Sequence, residues 1–99
     1  MLQINYKSNS LELACTNYTA SKRKYGGRMA RLIHQRIDEL KSVDSVEILV
    51  QYSIGRCHSL EGNRKGEYAM DLVHPYRLIF EYKKTEIQVV RIINIEDYH

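Results

Sequence analysis

Residues 67–94 read EYAMDLVHPYRLIFEYKKTEIQVVRIIN, and the period of the apolar positions in this stretch decides the fold class. Tyr68, Met70 and Leu72 alternate with Glu67, Ala69 and Asp71, and Tyr76, Leu78, Phe80 and Tyr82 alternate with Arg77 and Glu81. A period of two places each apolar set on one face of a strand. His74-Pro75 and Lys83-Lys84-Thr85 are short enough to be hairpin turns. Three successive strands, at about 67–73, 76–83 and 86–94, therefore form an antiparallel meander. The third is apolar nearly throughout, which predicts a central strand covered on both faces.

Upstream the period changes. Met29, Leu32, Ile33, Ile37 and Leu40 form one apolar stripe at helical spacing, predicting a helix over about 28–40. Gly26-Gly27 precedes it; two adjacent glycines cost roughly 2 kcal/mol inside a helix, so a turn is expected there. Before that turn, Leu11, Cys15, Tyr18, Lys22 and Tyr25 also recur at helical spacing, with Asn9 and Glu12 placed as a capping box. Asn17 and Thr19 are weak helix formers at which this first helix can break. Two helices joined by so short a turn lie antiparallel. Asp44-Ser45-Val46-Glu47 predicts another capped start, for a short helix reaching about Tyr52, and the alternation of Leu2, Ile4 and Tyr6 predicts a half-buried strand. The order β-α-α-(α)-β-β-β gives an α+β fold in two layers: an N-terminal strand and helix hairpin packed on a small, mainly antiparallel sheet.

The 99 residues set the expectation of one domain, 1–99. Hydrophobic residues at 43% and charged residues at 27% give the balance of a soluble globular protein. No apolar run approaches the ~18 residues of a membrane-spanning helix, which excludes one. Met1 to Tyr6 lacks the basic head and apolar stretch of a secretory signal. Cys15 and Cys57 fit neither a metal spacing nor a disulfide framework, so two reduced thiols in a cytoplasmic protein are expected.

The net charge of +3 is unevenly spread. Residues 21–36 carry Lys22, Arg23, Lys24, Arg28, Arg31 and Arg36 and no acid; acids return at Asp38, Glu39, Asp44 and Glu47. Such a face suits a phosphate-rich partner or an acidic protein, the alternative being a solvated helix face.

Three features carry chemistry. The loop 55–66 gathers Arg56, His58, Arg64 and Lys65, all able to donate to phosphate oxygens, although solvated turns share this composition. Arg77 lies on the strand face opposite Tyr76, Leu78 and Phe80, aimed either at an anionic ligand or at Asp71 or Glu81. Tyr98-His99 follows the third strand, which delivers a phenol and an imidazole to one edge of the sheet unless they fray. Together these residues fit a metal-free ribonuclease. RNA cleavage needs a base for the ribose 2′-OH, an acid for the departing 5′-oxygen and cations around the phosphate. Histidine serves either proton role, and arginine offers phosphate a planar, permanently charged fork. No His, Cys, Asp or Glu set has metal-ligand spacing, so no metal or other cofactor is expected. A phosphate-binding glycine loop, a nucleophile elbow and a dinucleotide fingerprint are all missing from the sequence.

The residues 55–60 (GRCHSL), 63–69 (NRKGEYA), 74–80 (HPYRLIF) and 95–99 (IEDYH) resemble the HigB, or plasmid maintenance killer, branch of the RelE/ParE toxin superfamily. Over 1–54 the resemblance rests on the layout of strand and helix hairpin alone. It implies a RelE-like fold and the toxin of a bacterial type II toxin–antitoxin pair. Such a toxin cuts mRNA in the ribosomal A site, leaving a 2′,3′-cyclic phosphate and a 5′-OH. The implied partners are the ribosome with its mRNA and a helix-turn-helix, HigA-like antitoxin, with DNA met only through that antitoxin. By position, the resemblance makes His58 the loop histidine, Arg77 the arginine bracing the scissile phosphate, and Tyr98 and His99 the terminal pair of the same cleft. Arg64 and Lys65 match the basic loop pair. Arg56 and the helical cations Lys22, Arg23, Lys24, Arg28 and Arg31 complete the expected RNA contacts. Two departures stand out: relatives carry a lysine where this chain has Glu61, and the RelE branch has strand lysines where this chain has Ala69 and Asp71. Glu61 is a base or a local acid, and either histidine can be base or acid. The competing functions are a ParE-like block of DNA gyrase and an inert RNA- or protein-binding module.

Overall fold

The computed structural model describes residues 1–83 and 89–97. Chain order is β1 (Gln3–Tyr6), α1 (Asn9–Thr16), α2 (Tyr18–Tyr25), α3 (Gly27–Ser42), α4 (Val46–Gln51), β2 (His58–Ser59), β3 (Glu67–Asp71), β4 (Tyr76–Tyr82) and β5 (Val89–Asp97), with 3-10 turns at Ile54–Arg56 and Gly62–Arg64. The five strands form one sheet in the order β1-β5-β4-β3-β2. Among the described residues β1 and β5 pair in parallel, and the other pairs are antiparallel. The α+β, two-layer, mainly antiparallel architecture expected from the sequence is what the chain adopts.

The first helix does break at Asn17. That residue ends α1 and caps α2, its side-chain oxygen accepting from the Ala20 amide at 3.0 Å. The start of α1 differs from the expected box: Ser8, in extended conformation, is the cap and accepts from Leu11 N at 3.2 Å. Likewise Ser45, not Asp44, precedes α4, while Asp44 takes the Met1 ammonium. Gly26 closes α2 at φ +87, where a side chain would be strained, so the chain turns there into α3.

The α3 stripe of Met29, Ile33, Ile37 and Leu40 packs with Val46 and Leu49 of α4 onto Met70, Leu78, Phe80, Val90 and Ile92 of the sheet. Each of these is buried, so every strand of the meander contributes alternate residues to one core. Burying a Leu, Ile or Phe side chain is worth about 1.5–3 kcal/mol each, which makes this the main source of stability.

The expectation that the third strand is covered on both faces is overturned. On β5 only Val90 and Ile92 are fully buried, while Arg91 and Asn94 are exposed. The apolar run has another cause. Ile79 pairs with Asn94 and Phe80 with Ile92, so Ile93 is an extra residue in a bulge that resets the alternation. β1, β3 and β4 match the expected strands within two residues at each end, and β2 falls in the stretch expected to be a loop. β5 runs on to Asp97 instead of ending at Asn94, while its expected start at Glu86 lies outside the described residues.

Candidate functional site

The face of the sheet turned away from the core holds the candidate chemistry, in rows fixed by register. Asp71 on β3 pairs with Arg77 on β4, which pairs with Glu96 on β5. In the next row His58 on β2 faces Ala69, then Ile79, then Asn94. A third row runs Glu67, Glu81 and Arg91. His58 and Arg77 thus share a face, two strands and one row apart, with Cα atoms roughly 12 Å from each other by ordinary sheet spacings.

His58 sits on a two-residue edge strand within the stretch expected to be a loop; two residues are too few to show a period. Its Nδ1 lies 2.8 Å from the Arg56 carbonyl. A carbonyl oxygen only accepts, so the ring nitrogen facing it carries the proton. In the neutral ring that leaves Nε2 with the lone pair. The carbonyl is aimed by an unusual backbone: Gly55 and Arg56 both have left-handed φ, +60 and +54.

Arg77 is one-quarter exposed, with Nε 3.7 Å from Asp71 Oδ1. The salt-bridge reading of this arginine is met in its pair with Asp71, and its side chain still reaches solvent on the candidate face. Arg56 Nε lies 3.4 Å from the other Asp71 oxygen, and the Arg56 side chain is 79% exposed. Asp71 links the two cations; its pair with Arg77 is one the sequence offered, and its contact with Arg56 is not.

Arg64 is engaged more fully. It donates to both oxygens of Glu96, at 2.9 and 3.0 Å, and through Nε to Glu67 at 2.9 Å. These hydrogen bonds raise the Arg64 pKa, the largest contribution coming from Glu96, and the same contact with Arg64 holds the Glu96 carboxyl below its usual range. The two carboxylates flank the Ala69–Ile79 row, so the guanidinium spans it, in keeping with the burial of both residues. Lys65 and Glu61 are exposed beside this clasp.

Of the helical cations, Lys22, Arg23 and Lys24 occupy the last turn of α2, where they also complement the helix dipole. With Arg28 and Arg31 of α3 they are all exposed. Arg36 departs from this set. It is turned inward, its side chain 11% exposed, donating to Glu39 and to the Asp71 carbonyl.

Two clefts meet at Lys24 and Tyr25. One, of about 260 Å³, adds Arg28, His74 and Tyr76; the other, of about 600 Å³, runs past Lys7 and Asn94 to Arg64 and Glu96. Lys7 and Tyr76 carry no signal of a site in the sequence, because only the fold brings them beside the basic helices, the first of which ends at Tyr25. Tyr98 and His99 lie outside the described residues. Among the described residues no three His, Cys, Asp or Glu side chains converge as a metal site, and no helix is long and apolar enough to cross a membrane. Cys15 and Cys57 are buried and unbridged, and burial pushes both thiols up to about 12.

No protein-family model and no curated protein matches the chain. Its fold does match solved structures. The YoeB/ParE toxin from Agrobacterium tumefaciens superposes with a TM-score of 0.67 at 14% identity, over 99% of this chain and 100% of that one. The YoeB dimer from Staphylococcus aureus gives 0.63 at 19% identity, over 99% and 97%. The YoeB–YefM complex from the same organism gives 0.61 at 23%, over 100% and 98%. This chain therefore has the fold of YoeB/ParE-type toxins over its whole length.

Proposed function

We propose that this chain is a cytoplasmic type II toxin of the HigB branch, which cuts mRNA on the ribosome by metal-free acid–base catalysis. The observation that carries the reading is His58, its Nδ1 tied to the Arg56 carbonyl, on the same sheet face as Arg77. The toxin fold and the sequence resemblance support it.

In this mechanism neutral His58 takes the 2′-OH proton at Nε2. The 2′-oxygen attacks phosphorus and the P–O5′ bond breaks. The product is a 2′,3′-cyclic phosphate on the upstream piece and, after proton delivery by Tyr98 or His99, a 5′-OH on the downstream piece. Arg77 stabilises the charge that builds on the phosphoryl oxygens. Positioned acid–base groups give ~10²–10⁴-fold each. The exposed cations of α2 and α3 meet ribosomal RNA, and the ribosome orients the mRNA. A helix-turn-helix antitoxin of HigA type covers the toxin until it is released; a heterotetrameric YoeB–YefM toxin–antitoxin complex is one neighbour of this fold with an antitoxin bound.

The test is a cell-free translation reaction in which mRNA ends are mapped and chemically typed. Cuts in translated codons with cyclic phosphate and 5′-OH ends are expected. Gyrase inhibition with intact mRNA would replace this reading with the ParE-like one. Naked RNA should stay intact with or without Mg²⁺.

A further inference from the structure

Asp71 ends β3 between the two candidate cleavage groups. Its carboxylate oxygens face different arginines, Oδ1 at 3.7 Å from Arg77 Nε and Oδ2 at 3.4 Å from Arg56 Nε. Its backbone carbonyl is held separately, accepting from Arg36 Nε at 2.7 Å. Arg36 is itself fixed by Glu39 and covered by Gly55, so the end of β3 is anchored to α3. The Arg56 carbonyl in turn accepts from His58 Nδ1 at 2.8 Å. With φ +54, Arg56 occupies a conformation that a residue with a Cβ seldom takes without support.

A carboxylate is the wrong charge for a phosphate site. Beside Arg77 it opposes the binding of an anion, so it weakens ground-state attraction for RNA. Its placement makes sense if geometry matters more than charge. One rigidly anchored acid sets the direction of Arg77 and steadies the Arg56 peptide that orients His58.

We propose that Asp71 is a positioning residue of this site: it holds Arg77 through one oxygen and, through Arg56, the tautomer and direction of His58. The proposal rests on the reading of His58 and Arg77 as the RNA-cleaving groups. Asp71 touches no reacting atom. It serves the rate of cleavage and does not aid attachment of the substrate.

The experiment compares Asp71→Asn and Asp71→Glu with the unaltered protein in single-turnover cleavage of ribosome-bound mRNA, alongside long-range ¹⁵N–¹H NMR of the His58 ring in the free protein. Asp71→Asn keeps the backbone carbonyl that Arg36 uses. It is expected to slow cleavage on the order of 10²-fold, the effect of an ångström-scale misplacement, while the half-saturating concentration stays level or falls. Asp71→Glu restores most of the rate. His58 shows the Nδ1–H tautomer in the unaltered protein and a mixture in Asp71→Asn. Should Asp71→Asn fail to fold, Arg56→Gln at an exposed position breaks the same ion pair and is expected to give the same NMR change. An unaltered rate in Asp71→Asn overturns the proposal, as does an unchanged His58 tautomer in both variants. If the unaltered protein cuts no mRNA, the cleavage reading fails by itself, and the NMR comparison alone decides whether Asp71 sets His58.

Discussion

Arg64 and Glu96, 32 residues apart, meet as a bidentate pair with hydrogen bonds of 2.9 and 3.0 Å across the candidate face. With Glu67 as the third member, the guanidinium ties the 3-10 turn at Gly62–Arg64 to β3 and β5. The pair fastens the loop of candidate residues to the sheet that carries Arg77.

This clasp has a pH signature. The Glu96 carboxyl is held below its usual range, so the folded state binds its proton more weakly than the unfolded state. Its stabilisation is therefore fully present above the unfolded value of about 4.3 and is lost as pH falls through the folded value. Arg64→Ala should cost about 1–2 kcal/mol at pH 7, within the range for charge-assisted hydrogen bonds discounted for partial exposure. Urea unfolding at pH 7 and pH 3 checks this. The gap between variant and unaltered protein should narrow at the lower pH, and a gap that stays constant argues against the clasp.

Gly55 is a second structural commitment. A Cβ there would meet Arg36 Nε at 2.8 Å and Cδ at 2.9 Å, and its φ is +60. Gly55→Ala should destabilise the fold by about 2–4 kcal/mol, combining a strained left-handed residue with overpacking. Arg36→Ala removes the clashing atoms, so the double variant should lose clearly less than the sum of the two single losses in a denaturant-unfolding cycle. Strict additivity would falsify the close approach.

These two contacts also mark where sequence reading stops. The alternation of Leu78, Phe80 and Tyr82 and the stripe of Met29, Ile33 and Ile37 are local periods, and the elements they predict are present. The bulge at Ile93 hides its own period, turning a one-sided strand into a continuous apolar run. His58 lies on a strand too short to have a period. The types of residue at the site are legible, since arginine, histidine and glycine in one loop fit phosphate chemistry. Of their partners only Asp71 for Arg77 is legible, as one of two carboxylates near it in the hairpin: Arg36 counts with the basic run in sequence although it points inward, and nothing in the spacing ties Arg64 to Glu96 or Asp71 to Arg56. Such contacts are set by sheet register, which depends on the whole fold.

The basic helices make a salt-dependent prediction. Arg28 and Arg31 are exposed on α3, so reversing both to glutamate should change stability by no more than about 0.5 kcal/mol each. Ribosome binding should weaken, and its logarithmic salt slope should fall by about one for each phosphate no longer neutralised. Sedimentation with ribosomes at several salt concentrations measures both. Arg36→Glu provides the contrast: at 11% exposure and bonded to Glu39 and the Asp71 carbonyl, it should unfold the chain before affecting binding selectively. Identical salt slopes for the unaltered and doubly reversed proteins would remove the RNA-facing role of these helices.

Arg77 and His99 separate folding from chemistry. Arg77 lies on the sheet face away from the core, one-quarter exposed, with Nε 3.7 Å from Asp71 Oδ1. Truncating it leaves the packing of Leu78 and Phe80 intact, and Arg77→Ala should fold and bind antitoxin nearly as well as the unaltered protein. It should nevertheless lose about 10²–10³-fold in cleavage, the usual effect of removing one donor to charge that develops in a transition state. Arg77→Lys keeps the charge but not the planar fork, so it should recover only part of the rate. His99→Gln preserves the length and polarity of the side chain while removing the group that can carry a proton. If His99 is the acid for the 5′-oxygen, this variant should lose about 10²–10⁴-fold. It should regain rate on an RNA whose 5′-oxygen is replaced by sulfur, because a thiolate leaves without protonation. Cleavage mapped on matched oxygen and sulfur substrates in a translation reaction decides the point. Equal losses on both substrates would pass the proton to Tyr98 and give His99 a role other than that of the acid, and no loss on either would leave it a bystander.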